Sequence, residues 1–338
     1  MPATTDPEPL CVPISRCAIP LAWDAAEQID LWPGTPPGGP ITLAARDPDL
    51  PPSWRTQLAQ PQLRVFRPAE SNGTALLVLP GGGYGFVSIK NEGVDVAEAF
   101  CPRGYTVFVL AYRLPGEGWA RRGDVPLQDA QRAMRLIRAR AGEEAYAPSA
   151  VAVLGFSAGG HLAASLLVGA AEPVYEAVDA ADALSALPVA GGLLYPVLAM
   201  AGAEAHPGSR DALLGPQPDA ATLARRSPLE RIDASVPPIF VAHSRDDAQV
   251  PYRNAVLLEA AMTAAARPVE LHLFEEGGHG FGVGPSNAAA GCWPILFDRW
   301  LRRRLPGAGA ADAGHRVQAK AAERSVSLAP GMARATSG

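Results

Sequence analysis

The sequence is poor in lysine, in cysteine and in long apolar runs, and each shortage closes off a class of function. Of 29 basic residues only Lys90 and Lys320 are lysines, and 34 acids leave a net charge of −5. There is no basic block and no aromatic-basic interleaving, so nucleic acid is not an expected partner. The four cysteines, Cys11, Cys17, Cys101 and Cys292, form no Cys-x-x-Cys pair and no Cys/His spacing that suits zinc. Cys101 and Cys292 lie in apolar helical contexts, where a small buried hydrophobe is the expectation. Cys11 and Cys17 are free to pair, though nothing requires it. No apolar run reaches the ~18 residues of a membrane span. Met1 to Pro13 is acidic and proline-rich, without the basic and apolar regions of a signal peptide. The expected location is therefore cytoplasmic.

With 48% hydrophobic residues over 338 positions, the chain can bury one large core. Residues 1–26 read as a poorly ordered extension. Glu27 to Trp32 reads as a short edge strand, and the proline-glycine stretch 33–40 must be loop. Residues 62–67 alternate like a half-solvated strand. Continuous apolar strands are expected at Ala75 to Leu79, Tyr105 to Tyr112, Val151 to Phe156, Val189 to Tyr195, Ile239 to His243 and Val269 to Phe274. Helical spacing falls between them, at Val94 to Cys101, Leu127 to Ala141, after Ser157, Tyr252 to Ala266 and Trp293 to Leu305. Such alternation predicts an α/β fold, a mostly parallel, doubly wound sheet with helices on both faces, spanning residues 27–305. Residues 196–236, punctuated by prolines, are irregular and are expected to cap a site. Residues 306–338 read as a disordered tail.

The stretch that organises the chain runs from Val151 through Gly155-Phe156-Ser157-Ala158-Gly159 to Leu166. An apolar strand, a Gly-x-Ser-x-Gly turn and a small-residue helix are the context of a nucleophile elbow. The glycines leave out side chains where strand and helix approach closely, and the helix N-terminus can stabilise an anion. The bland alternative is an ordinary Gly/Ser turn.

A serine nucleophile needs a base, an acid and an oxyanion hole, and the acid and base follow Ser157 in the order acid, then histidine. His279, in the glycine loop Gly277-Gly278-His279-Gly280, follows the strand Val269 to Phe274 and is the expected base. A surface histidine in a flexible loop is the alternative. His161 is expected to make a local structural bond, His243 ends a buried strand, and His206, His272 and His315 have no supporting context. Asp246 and Asp247 compete as the acid. Asp247, which starts Asp-x-x-Val-Pro, is favoured, and Asp246 is expected to bond loop amides. Pro80-Gly81-Gly82-Gly83-Tyr84-Gly85 follows the strand Ala75 to Leu79. We expect the amides of Gly82, Gly83 and Ala158 to form the oxyanion hole. A phosphate-cradling loop is the rival, but neither G-x-G-x-x-G nor a Walker lysine is present. Tyr84, a candidate substrate-binding residue, and Trp119 are expected to line a pocket, with plain packing as the alternative. Tyr112-Arg113-Leu114 and Asp129 read as scaffold.

These motifs resemble the α/β-hydrolase superfamily, and within it the esterase group of acetylxylan-esterase-like and feruloyl-esterase-like enzymes. The resemblance runs from Leu31-Trp32-Pro33-Gly34 through Pro80-Gly81-Gly82-Gly83-Tyr84, Tyr112-Arg113-Leu114 and Gly155-Phe156-Ser157-Ala158-Gly159-Gly160-His161. It continues through Leu213-Leu214-Gly215, Ser227-Pro228, Asp246-Asp247-Ala248-Gln249-Val250-Pro251 and Gly278-His279-Gly280-Phe281. It covers residues 27 to 304. It implies a serine carboxylic-ester hydrolase acting through an acyl-enzyme, with an acetylated sugar or xylo-oligosaccharide, or another small ester, as substrate. No metal or organic cofactor is implied. The rivals are a short-chain lipid-type carboxylesterase, a prolyl-oligopeptidase-type peptidase and a hydrolase-fold binding protein that has lost catalysis. A large propeller domain usually accompanies the peptidase, and this chain lacks room for one. The binding protein typically loses the serine or the histidine, and both are kept here.

Overall fold

A computed structural model describes residues 19–284 and 288–305. In chain order the strands are β1 (Glu27–Asp30), β2 (Trp54–Arg55), β3 (Gln62–Phe66), β4 (Gly73–Leu79), β5 (Val87–Ser88), β6 (Thr106–Ala111), β7 (Tyr146–Phe156), β8 (Gly191–Leu194), β9 (Ile239–Ser244) and β10 (Val269–Phe274). The helices are α1 (Leu21–Ala25), α2 (Asp95–Phe100), α3 (Val125–Arg140), α4 (Ser157–Gly169), α5 (Pro207–Leu214), α6 (Ala220–Arg225), α7 (Arg253–Ala264) and α8 (Trp293–Arg302).

Eight strands form one sheet in the order β1-β3-β6-β4-β7-β8-β9-β10, while β2 and β5 make a separate ribbon. From β6 to β10 all neighbours are parallel; β3 pairs antiparallel with both β1 and β6. This is the expected mostly parallel sheet. β6 is buried along its whole length, because helices cover both faces. The antiparallel β3 alternates, with Leu63 and Val65 buried between half-buried neighbours. The small residues of α4 let backbones meet. A Cβ added at Gly159 would lie 2.1 Å from the Leu79 carbonyl oxygen, and one at Gly155 would lie 2.3 Å from that of Gly159.

The chain steps from β4 to β6 on one side, then crosses to β7 on the other. The crevice beyond the carboxyl ends of β4 and β7 is thus the switch point where such sheets bind ligands. Because β4, β7, β9 and β10 are parallel, the glycine loop, the elbow, the aspartate pair and the histidine loop all emerge at that end.

Several expectations need adjusting. The extension expected over residues 1–26 is ordered at its inner end, where α1 buries Trp23; residues 1–18, with Cys11 and Cys17, and the tail 306–338 lie outside the described residues. The helix expected from Val94 is preceded by a π-helical turn, Lys90–Val94. Cys292 is exposed, not buried, and Cys101 is partly buried. Segment 196–236 holds α5 and α6. It is anchored by Arg226, which pairs with Asp124 and Glu172, and by Arg122, which donates to the Ala212 carbonyl at 2.6 Å. Among the described residues no helix is long and apolar enough to cross a membrane.

Candidate active site

β7 delivers the chain to Ser157, which turns into α4 with φ of +50°. A non-glycine residue in that region is strained and persists only where its surroundings hold it. Here the Val197 amide donates to the Ser157 carbonyl at 3.1 Å. Gly81 backs the turn so closely that a Cβ there would lie 2.8 Å from Ser157 Cβ.

The structure brings Ser157, His279 and Asp247 together. His279 Nε2 lies 2.8 Å from Ser157 Oγ, and His279 Nδ1 lies 2.7 Å from Asp247 Oδ2. A carboxylate only accepts, so Nδ1 carries the proton and Nε2 is left to accept from the serine hydroxyl. That is the tautomer a general base requires. The Asp247 side chain is fully buried, which works to raise its pKa. Hydrogen bonds from His243, His279 and the Val250 amide outweigh burial and hold it well below the usual carboxylate range. Asp246 instead accepts from the amides of Gly277 and Gly278, at 3.2 and 2.8 Å, and so shapes the histidine loop.

The glycine loop sits opposite. Its turn closes through the Gly85 and Phe86 amides, which both donate to the Gly82 carbonyl. Gly82, at φ +128°, cannot carry a side chain, because a Cβ would lie 2.1 Å from the Phe86 carbonyl oxygen. Among the described residues the amides of Gly82, Gly83 and Ala158 donate to no protein acceptor, whereas that of Gly81 donates to Glu92 at 2.7 Å. An arrangement of this kind can activate a hydroxyl for attack on a carbonyl and hold the resulting oxyanion.

The Tyr84 side chain is buried and packed edge-on to Tyr112, with its hydroxyl 2.7 Å from His161 Nδ1, and Tyr84 and His161 border a small cavity together with Leu213 and Arg226. Trp119 is likewise buried, over the Arg113 guanidinium. His161 makes long-range bonds rather than a local one: its Nε2 donates to the Arg226 carbonyl at 2.8 Å, so Nδ1 accepts from Tyr84. Burial, the largest influence, pushes His161 down to about 4. Protonation therefore favours the unfolded chain. His161 adds no such penalty above about pH 6.5, and stability drains as pH falls toward 4, by roughly 3 kcal/mol in all. In denaturant titrations, the stability gap between wild type and His161→Gln should narrow steadily from pH 7 to pH 4.5. A constant gap would contradict this.

Sequence reasoning gave no site role to four neighbours. Glu92 is buried at the glycine loop, and its only sequence signal was a lone acid before an apolar helix. Tyr195, at the end of β8, sets its ring 5.1 Å from that of His279. His243 Nε2 lies 3.0 Å from both Asp247 Oδ2 and the Val250 carbonyl, beneath the acid. His206 caps α5 by accepting from the Ser209 amide; burial and the positive charge of His279 lower its pKa. Ser209 Oγ comes within 3.8 Å of where a Gly83 Cβ would lie, so segment 196–236 does reach the glycine loop. Among the described residues no group of three or more His, Cys, Asp or Glu side chains is placed to hold a metal ion.

Known proteins share this architecture. The model of the prolyl oligopeptidase family matches residues 97–292. An acetylxylan esterase of Xylanibacter ruminicola is 31% identical over 229 residues, 66% of this chain and 44% of that protein. The chain thus spans less than half the length of the curated relatives it matches. The acetyl ester-xyloside bifunctional hydrolase of Caldicellulosiruptor lactoaceticus superposes with a TM-score of 0.68 at 31% identity, over 81% of this chain and 95% of that one. The Thermogutta terrifontis esterase Est2, solved with butyrate bound, gives a TM-score of 0.60 at 26% identity, over 74% and 94% of the two chains.

Proposed function

Because the chain belongs to the prolyl oligopeptidase family and has the α/β-hydrolase fold, we propose that it is a serine carboxylic-ester hydrolase acting on small acetylated substrates. The observation that carries this is the unbroken relay from Asp247 Oδ2 through His279 to Ser157 Oγ, with links of 2.7 and 2.8 Å. His279 Nε2 takes the hydroxyl proton as Ser157 Oγ attacks the ester carbonyl. The amides of Gly82, Gly83 and Ala158 receive the oxyanion. His279 then returns the proton to the leaving alcohol, and an acyl-enzyme remains. Water, deprotonated by the same nitrogen, releases the acid and regenerates the serine. Asp247 holds the imidazole in its working tautomer and stabilises its charged form.

Acetylated sugars or xylo-oligosaccharides are the favoured substrates. This rests on the relatives, of which one is named an acetylxylan esterase and another an acetyl ester-xyloside bifunctional hydrolase. The butyrate found in the Thermogutta esterase supports a short acyl group of some kind without requiring a sugar.

Hydrolysis of p-nitrophenyl esters from acetate to octanoate tests the acyl preference. We expect kcat/KM for acetate to exceed that for octanoate by about 10-fold or more, the scale on which a pocket discriminates added methylenes. Acetate release from acetylated xylo-oligosaccharides should follow. Preference for octanoate would replace this with a lipid-type esterase. Turnover of a prolyl-p-nitroanilide peptide with no ester activity would favour a peptidase.

A further inference from the structure

The relay above leaves one buried acid at the site unused. Glu92 is 4% exposed and lies in the π-helical turn Lys90–Val94, a rare element that tends to mark functional sites. Its Oε2 accepts from the Gly81 amide at 2.7 Å, and its Oε1 accepts from the Tyr195 hydroxyl at 2.8 Å. The Tyr195 oxygen in turn accepts from the Gly282 amide at 3.0 Å. The preceding residue reaches the same loop, with Asn91 Nδ2 donating to the Gly280 carbonyl at 3.0 Å. One turn therefore joins the glycine loop after β4 to the histidine loop after β10, on either side of Ser157.

The donors around Glu92 suit a carboxylate. Gly81 can only donate. The Tyr195 oxygen already accepts from Gly282, so its own proton points at Glu92. A carboxylate accepts from both without turning a proton toward either. Two donors thus converge on the Glu92 carboxyl, and among the described residues no Lys or Arg pairs with it. The cation that bears on it is the charged form of His279. Burial pushes the Glu92 pKa up; the Tyr195 hydroxyl, the Gly81 amide and His279 pull against it.

We propose that Glu92 is a positioning residue for acyl transfer: an anion that ties the oxyanion loop to the histidine loop through Tyr195 and is a second carboxylate, besides Asp247, favouring the imidazolium of His279. This deepens the ester-hydrolase reading and rests on it. The charge on His279 rises as Ser157 attacks, so a fixed anion nearby lowers the barrier without touching substrate. The other groups facing His279 are Asp247, Tyr195 and His206; those facing Glu92 are Tyr195, Tyr112 and His279.

The test compares Glu92→Gln and Tyr195→Phe with wild type. The readouts are p-nitrophenyl acetate kinetics and the rate of labelling by a fluorophosphonate probe, both between pH 5 and 9. Glu92→Gln removes the charge. Its kcat should fall about 10- to 100-fold with KM nearly unchanged. Loss of an anion disfavours the protonated base, so the acidic limb of both profiles should move to lower pH, by roughly half a unit or more. Tyr195→Phe keeps the charge and cuts the tether: kcat should fall several-fold, with no downward movement of the limb. The proposal is overturned if the limb stays in place in Glu92→Gln, or moves down equally in Tyr195→Phe. Should Glu92→Gln fail to fold, Glu92→Asp decides: a lowered kcat with the limb in place supports the proposal, and full activity overturns it. A wild type that labels yet hydrolyses no ester would defeat the substrate reading alone, since the labelling profile still reports on Glu92.

Discussion

Replacing Ser157 with alanine is expected to lower kcat for p-nitrophenyl acetate by roughly 10,000-fold or more, with the fold intact. The size follows from the geometry. Ser157 Oγ is the atom on which His279 Nε2 is trained, and among the described residues no other hydroxyl or thiol bonds that nitrogen. Alanine leaves the glycine-loop amides and the His279–Asp247 pair in place, so the residue of activity would be water attack assisted by what remains. Stability should change little, because alanine meets the same strain at φ +50° and the Val197 amide still donates to the carbonyl at residue 157. Intact mass after fluorophosphonate treatment supplies the second readout: wild type should gain one adduct and the variant none. Retention of a tenth of the wild-type rate, or labelling of the variant, would remove Ser157 as nucleophile. His279→Ala should cost nearly as much, and the double variant little more than either alone, since the members of such a relay act as a unit.

The parts of this site that the sequence discloses are those whose chemistry is local. Gly155-Phe156-Ser157-Ala158-Gly159 is legible because a serine at a strained turn needs glycines within two residues of it, and His279 because a loop must follow a strand end to reach the crevice. The strands were legible for a similar reason: a strand covered on both faces is apolar throughout, and its length is visible as a run. Glu92, Tyr195 and His206 were not, because each owes its place to contacts across the fold. Glu92 meets Tyr195 over 103 positions and Gly81 over 11. No periodicity encodes such a meeting, and a single acid in Ile89-Lys90-Asn91-Glu92-Gly93 reads as a helix start. The surroundings of Tyr84 were hidden for the same reason. A tyrosine in a glycine loop at a site suggests a wall for substrate, but not that its ring packs on Tyr112 with its hydroxyl paired to His161. Asp129, which reads as scaffold in the sequence, is held by contacts with Arg113 and Trp32 that no local pattern announces.

Those contacts lead to the largest stability effect we expect. Asp129 and Arg113 have no exposed side-chain surface and pair at 2.7 Å. Asp129 also accepts from the Trp32 indole at 2.9 Å and from the Arg113 amide at 2.9 Å. Arg113 spends its other protons on the Pro37 carbonyl and on Gln128, while its guanidinium lies 5.6 Å from the Trp32 ring and 4.7 Å from that of Trp119. Asp129→Ala would strand a buried cation, an indole N–H and an amide at one stroke. Breaking a buried pair by removing one partner costs about 3–5 kcal/mol. At roughly 2–4 °C per kcal/mol for a large domain, Tm should fall by on the order of 10 °C. The pair itself is worth less than its loss suggests, because burying both charges already carries a heavy desolvation cost. The double variant Arg113→Met, Asp129→Leu should therefore melt above Asp129→Ala, a rescue that additive losses would forbid. Below the transition, kcat of Asp129→Ala should stay within about two-fold of wild type, since Asp129 touches none of Ser157, His279 or Asp247. A drop in Tm of under 2 °C would show that water or a shifted side chain takes over the work of the carboxylate. A collapse of kcat in a folded variant would instead trace a path through Tyr112, whose hydroxyl donates to the Pro80 carbonyl at 2.7 Å at the foot of the glycine loop.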